Sequence, residues 1–276
     1  MLRPWPADDG GLVRLRLVGG RVAGEQLVAL AAVAAAYGDG DVHLTQRANL
    51  QVRGLPLVGD SLPDEVVRAF EGTGLLPSRS HELIRNIMCS PLTGRSGGRA
   101  DLSPLLDRLD AGLRADPQLA GLSARFLFVL DDGRGDLLAR PADVTLVALD
   151  AENAQLRLGA QHWTPVFPPA DGAVRMIAAA RSFLAARRHQ GSAAWHVDEL
   201  RAPLPVAPAE RDPRAPAPAD PLPFGRVEHT DPALCHVPVP DGVLRPAQLG
   251  ELVATGADPL IVTPWNGVIV PDRARN

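Results

Sequence analysis

The sequence predicts an α+β fold in which two units of the same element order sit at the two ends of a 276-residue chain, around an α/β middle. Three observations carry this. Residues 11–18 alternate, with Val13, Leu15 and Leu17 on one side and Arg14 and Arg16 on the other, the pattern of a half-buried strand. A helix and two short strands follow, and the order strand, helix, strand, strand recurs near the C-terminus. Finally, Thr45-Gln46-Arg47-Ala48-Asn49-Leu50-Gln51-Val52 aligns without a gap on Thr263-Pro264-Trp265-Asn266-Gly267-Val268-Ile269-Val270.

In chain order, Gly19-Gly20 turns the first strand, and residues 24–37 read as an Ala- and Leu-rich helix stopped by Gly38. Residues 41–45 and 50–54 are short strands, with Arg47, Ala48 and Asn49 at the turn between them. The middle carries strands at 124–131, 143–149 and 154–158 and helices at 103–115 and 172–189. Residues 203–223 hold eight prolines in 21 positions, which predicts a polyproline II linker. The last unit has strands at 234–239, 259–263 and 268–270 and a helix at 246–255 with proline in its first turn. One strand-helix-strand-strand half leaves a bare sheet edge, so the two halves are expected to pair into one sheet.

Composition narrows the function. The chain has 28 Lys+Arg against 32 Asp+Glu, a net charge of -4, and every cation is Arg. That balance argues against a general nucleic-acid binder. Any anion site must then use Arg, whose planar fork binds carboxylates in a bidentate way. The two cysteines, Cys89 and Cys235, exclude a disulfide scaffold and a four-thiolate site made by this chain alone. The seven histidines show no metal-ligand spacing, so no metal site is expected. With no apolar run long enough for a membrane span and no signal-peptide core, the expectation is a soluble, cytoplasmic protein.

Three strings stand out. In residues 43–54, Arg47, Asn49, Gln51 and Arg53 share parity, so they point to one sheet face that is either solvated or bound to a polar ligand. In residues 80–94, Arg85-Asn86 precedes an apolar run, which reads as a buried anion clamp or as an ordinary edge pair. Arg125 stands in an apolar strand and must be paired or face a site.

Together these strings resemble the nitrite and sulfite reductase superfamily. Residues 44–54 are similar to its T-x-R-x-x-x-Q-x-R-G stretch, and residues 85–94 to its R-N-(apolar)-P-x-x-G stretch. With residues 263–272, they look most similar to precorrin-3B synthases of aerobic cobalamin biosynthesis. The resemblance implies two ferredoxin-like βαββ halves, at 8–60 and 225–276, flanking an α/β tetrapyrrole-binding module at 75–201, with residues 202–224 as linker. It implies a precorrin or siroheme held by Arg47, Asn49, Gln51, Arg53, Arg85, Asn86 and Arg125, and an oxygen- and NADH-linked monooxygenation of a precorrin with lactone formation. Leu127 stands where the family has a second basic residue, and Asn266 where the cobalamin branch has Arg. The family's four-iron four-sulfur cluster is held by four Cys beyond the second half. This chain ends at Asn276 without those ligands, so the expectation is a member lacking that module, with no catalytic residue or metal ligand named. A siroheme-dependent reductase remnant and a non-catalytic tetrapyrrole-binding subunit are the alternatives. Uncovered apolar surface at Ile261, Trp265 and Ile269 would then call for a homodimer or a partner chain carrying the iron–sulfur module.

Overall fold

The computed structural model describes residues 4–230 and 233–272, so residues 231–232 and 273–276 of the expected second half lie outside the described residues. The chain divides into two compact units, Met1–Glu82 with Leu222–Asn276, and Leu83–Pro221.

The first unit begins with β1 (Trp5–Ala7), β2 (Gly10–Leu15), β3 (Arg21–Val22), α1 (Gly24–Tyr37), β4 (Val42–Leu44), β5 (Leu50–Leu55) and α2 (Asp64–Gly72). Gln26 Oε1 accepts the Ala23 N–H at 3.2 Å and starts α1, which turns Leu27, Leu30, Val33 and Ala34 inward. It ends at Gly38, where a Cβ would lie 2.7 Å from the Arg53 carbonyl of β5. A side chain there would push the helix end off the sheet.

The second unit holds β6 (Ile87–Cys89), α3 (Ser103–Ala115), β7 (Phe128–Asp131), β8 (Val144–Ala148), β9 (Ala154–Leu158), β10 (His162–Trp163) and α4 (Gly172–His189). Its sheet runs β10-β9-β8-β7-β6, parallel from β6 to β8 and antiparallel from β8 to β10. Every residue of β6, β7 and β8 is buried and all but Asp131 and Thr145 are apolar, the habit of strands covered on both faces. Two sequence expectations change here. The strand expected from residue 124 begins at Phe128, because Asn86 Nδ2 donates to the carbonyls of Ala124 (2.8 Å) and Phe126 (3.2 Å) and takes them out of the ladder. Nor do residues 203–221 form a free linker. The Ala209 N–H donates to Trp163 O, the Asp212 N–H to Gln155 Oε1 and the Ala219 N–H to Gly135 O, each at 2.9 Å. Proline has no amide to donate, so these N–H groups supply the strap's hydrogen bonds to the body of the unit.

The chain then returns to the first unit as β11 (Gly225–Val227), β12 (Leu234–Pro238), β13 (Val243–Leu244), α5 (Pro246–Val253), β14 (Leu260–Thr263) and β15 (Gly267–Pro271). The unit contains two five-stranded sheets, β1-β2-β5-β4-β13 and β11-β12-β15-β14-β3, rather than the single expected sheet. Each half lends its two-residue strand to the other's edge. β13 pairs with β4 and β3 pairs with β14, both antiparallel. A short exchanged strand closes an edge that either half alone would leave bare. Gly20 permits the exchange: it sits at φ +75 with its carbonyl accepting the Val262 N–H at 2.8 Å, where a Cβ would meet Val262 O. Helices α1 and α5 pack together, and Val13, Leu15, Val52, Leu260, Val262 and Val268 join one core with them. Ile261 and Ile269 are 4% and 1% exposed and Trp265 is half-buried, which corrects the expectation of bare apolar surface at these residues.

Candidate functional site: a polar sheet face on the first half

Strand register lays out the duplicated faces. In the first half, Arg14, Gln51, His43 and Val243 stand opposite one another across β2, β5, β4 and the borrowed β13. In the second half, His236, Ile269, Ile261 and Arg21 form the matching row across β12, β15, β14 and the borrowed β3. The rows correspond in the register that the sequence alignment sets, Gln51 on Ile269. The turns agree as well: Ala48 and Asn266 occupy aligned positions, and both adopt left-handed φ, 53° and 55°.

The two rows differ in chemistry. On the first half, Arg14 Nε donates to Gln51 Oε1 at 3.4 Å, and His43 Nε2 lies 2.7 Å from Asp39 Oδ2. Two residues along β5, Arg53 meets Asp9 through Nε at 2.9 Å and Nη2 at 3.2 Å. That pairing raises the pKa of Arg53 and lowers that of the Asp9 carboxyl. Arg47 projects from the β4–β5 turn and is half-buried, its own N–H donating to Thr45 Oγ1. On the second half, His236 is fully buried, with Nε2 2.9 Å from Thr263 Oγ1 and Nδ1 3.2 Å from Pro223 O. Phe224 and Trp265 flank its ring at 4.5 and 6.2 Å. Burial pushes its imidazole below the usual histidine range. The central positions of the first row are polar and partly exposed, while those of the second are a buried imidazole and two isoleucines, with Arg21 at the borrowed edge.

Gln51 and Arg53 therefore share one face of β5, whereas Arg47 and Asn49 lie in the β4–β5 turn. β5 starts at Leu50, so Asn49 is a turn residue outside the strand alternation. It is 3% exposed, and its Oδ1 accepts the Leu17 N–H at 2.8 Å. In the second unit, Asn86 is 3% exposed and its amide is spent on main-chain carbonyls. Arg85 is also buried, and its Nε donates to Asp110 Oδ1 at 2.5 Å. Arg125 is exposed and lies over the Trp195 ring at 4.4 Å. Sequence reading missed Trp195, although in a chain with 4% aromatic residues it was a signal worth following. It also missed the buried carboxylate Asp143, which accepts the Leu127 and Val197 N–H groups at 2.8 and 2.9 Å.

A cluster of four thiolates does not fit this chain, because Cys89 lies in β6, Cys235 lies in β12, and the sequence has no further cysteine. The polar face of the first half has donors suited to a polyanionic ring, the guanidinium groups of Arg14 and Arg53 and the Gln51 amide, but Arg53 is paired with Asp9, which a ring carboxylate would have to displace.

Two βαββ halves with exchanged strands and a separate α/β unit define a duplicated ferredoxin-like protein. Residues 6–58 match the nitrite/sulfite reductase ferredoxin-like half domain. A ferredoxin–nitrite reductase of Leptolyngbya laminosa is 39% identical over 92 residues, which is 32% of this chain and 18% of that protein. One of Synechococcus elongatus is 28% identical over 218 residues, 68% of this chain and 41% of that one. A precorrin-3B synthase of Sinorhizobium is 29% identical over 156 residues, 54% and 31% of the two chains. The Mycobacterium tuberculosis NirA structure shares the fold at a TM-score of 0.66 and 16% identity, over 97% of this chain and 56% of that one. The chain is thus similar to proteins of the nitrite/sulfite reductase superfamily, and it matches 18%, 41% and 31% of the length of the three curated relatives.

Proposed function

We propose that the protein binds a tetrapyrrole and acts as a precorrin-3B-synthase-like oxidoreductase on a precorrin in cobalamin biosynthesis. The observation that carries the reading is the asymmetry of the duplicated faces. The row on the first half is Arg14, Gln51 and His43, with Arg53 two residues along β5 and Arg47 in the preceding turn, whereas the positions matching those three are the buried His236, Ile269 and Ile261, with Arg21 on the borrowed strand. Uroporphyrinogen-derived rings carry acetate and propionate groups, and a guanidinium holds each in two parallel hydrogen bonds. Arg47, Gln51 and Arg53 would bind and orient these carboxylates. In the second unit, Arg125 on Trp195 offers a flat cationic surface suited to a macrocycle edge. Arg85 and Asn86 support that unit from inside.

The proposed chemistry is an oxygen- and NADH-linked hydroxylation of the ring with lactone formation. A redox group would have to come from a partner chain or a further module, because four thiolates are lacking here. The alternative is a siroheme-binding reductase or a non-catalytic subunit of such an enzyme, which the two nitrite reductase relatives favour. Titrating the purified protein with siroheme and with a precorrin, followed by absorbance, separates the readings. Selective saturation by the precorrin supports the synthase, and selective saturation by siroheme supports the alternative. A metal and sulfide assay with NADH-dependent turnover tests competence, and a protein that binds the precorrin without turnover is a binding subunit.

A further inference from the structure

We infer that the second unit carries a pocket for a neutral, single-ring aromatic molecule, built between the β9–β10 hairpin and the proline-rich strap. The inference uses residues of that unit alone and stands apart from the tetrapyrrole reading. A cavity of about 220 Å³ is lined by Leu158, Trp163, Thr164, Val197, Leu204 and Val206 among others. An apolar cavity of about 150 Å³ is enough for benzene, so this one accommodates a ring with a small substituent.

The sequence of the strap explains why space is left there. Upstream it is fastened by Gln190, whose Nε2 donates to Ala202 O at 3.3 Å and whose Oε1 accepts the Arg201 N–H at 2.9 Å. Downstream it is fastened where the Ala209 N–H donates to Trp163 O. Between these anchors Pro203, Pro205 and Pro208 have no amide to give, and the Val206 N–H turns back onto Leu204 O at 2.8 Å. Residues 203–208 therefore span the gap as a wall of the cavity, with the Leu204 side chain, 8% exposed, drawn inward.

The lining chooses the guest. Leu158 and Val197 are buried, and the hydroxyl of buried Thr164 is already spent, accepting the Leu156 N–H and donating to Pro165 O, each at 3.2 Å. Such a wall offers apolar contact, and a charged guest would lose its water without gaining a partner. Trp163 narrows the choice to an aromatic guest. Its main chain is bridged to Ala209, its ring packs against the cluster of Leu138, Val147, Leu149 and Ala215, and the Arg211 guanidinium lies 5.9 Å from the ring centroid. An indole held in this way favours a second ring stacked with an offset or set edge to face.

Calorimetric titration of the full chain with toluene, and with benzoate as its charged counterpart, tests this. The expected result is saturable one-to-one binding of toluene, with benzoate weaker by about tenfold or more. Trp163→Ala should weaken toluene binding about three- to tenfold, the loss of one aromatic pair. Val206→Phe fills the space from the strap side and should weaken it by about tenfold or more. Val174→Ala, an exposed valine on α4 outside the cavity, should leave it unchanged. Because Trp163 also packs on the neighbouring apolar cluster, thermal unfolding without ligand checks that each variant is folded, and Val206→Phe carries the test if Trp163→Ala is not. Absence of saturable toluene binding, benzoate bound as tightly as toluene, or pocket variants that bind as tightly as wild type overturn the pocket. A failed tetrapyrrole titration leaves it standing.

Discussion

Arg85 and Asp110 form an ion pair buried on both sides, with Nε donating to Oδ1 at 2.5 Å and side chains 8% and 12% exposed. Asp110 also accepts from Arg114, one turn along α3, at 3.0 Å. The pair ties the segment before β6 to α3, which makes Arg85 a support of the second unit.

Removing one partner of a buried pair strands the other charge, at a cost of about 3 kcal/mol. Asp110→Ala and Arg85→Ala should both lower the midpoint of urea unfolding by an amount of that order. An Arg85→Ala variant as stable as wild type would show that the pair is not formed.

Asn49 makes a similar point on a smaller scale. Asn49→Ala leaves the Leu17 N–H without its acceptor and should cost about 1–3 kcal/mol. Gln51→Ala, on the half-exposed side of β5, should stay within about 0.5 kcal/mol. Chemical denaturation of the two variants side by side distinguishes the turn residue from the face residue.

Strand exchange makes Gly20 and Gly72 opposites. Gly20→Ala places a Cβ against Val262 O in a left-handed backbone and should destabilise by about 2 kcal/mol or more. Gly72 lies at the end of α2 with nothing near its added Cβ, so Gly72→Ala should stabilise by about 0.5–1 kcal/mol. Thermal unfolding reads both signs.

Asp136 sets a pH dependence. Burial first, then the nearby Asp131 charge, push its pKa from 3.8 to about 7, while the Ser90 hydroxyl donates to its Oδ1 at 2.7 Å. Folded protein therefore binds this proton more tightly than unfolded chain does. The contribution of Asp136 is most favourable below about pH 4 and is lost progressively as pH rises to about 7, then levels off. Asp136→Asn keeps an acceptor for Ser90 and removes the titration. Its stability relative to wild type should rise between pH 5 and about 8, as read by urea midpoints; a flat difference would contradict the assignment.

Much of the fold was legible because the signals were local. Helices at 24–37, 103–115 and 172–189 and the strand at 154–158 have the predicted bounds. The duplication was legible too, because Thr45 and Thr263 open turns of equal length. Local pattern could not show the exchange of β3 and β13. Each is two residues long, and its partner is chosen by contacts more than 190 positions away. Helix α2 escaped notice although Val66, Val67 and Phe70 are buried at helical spacing, because the helix spans only nine residues. At the site, parity carried Gln51 and Arg53 but failed at Asn49, where the strand had already ended. Type alone could not show that Arg85 is matched by a carboxylate 25 residues away.

The central claim is that the arginine-bearing face of the first half holds a tetrapyrrole's carboxylates. Absorbance titration of wild type and of Arg47→Ala with siroheme and with a precorrin tests it most directly, since Arg47 is half-buried in the turn that leads into β5 and is not part of the apolar core. The account predicts saturable binding of one of the two rings by wild type and affinity weakened by about tenfold or more in Arg47→Ala. A folded wild type that binds neither ring, or an Arg47→Ala variant that binds as tightly as wild type, would contradict it.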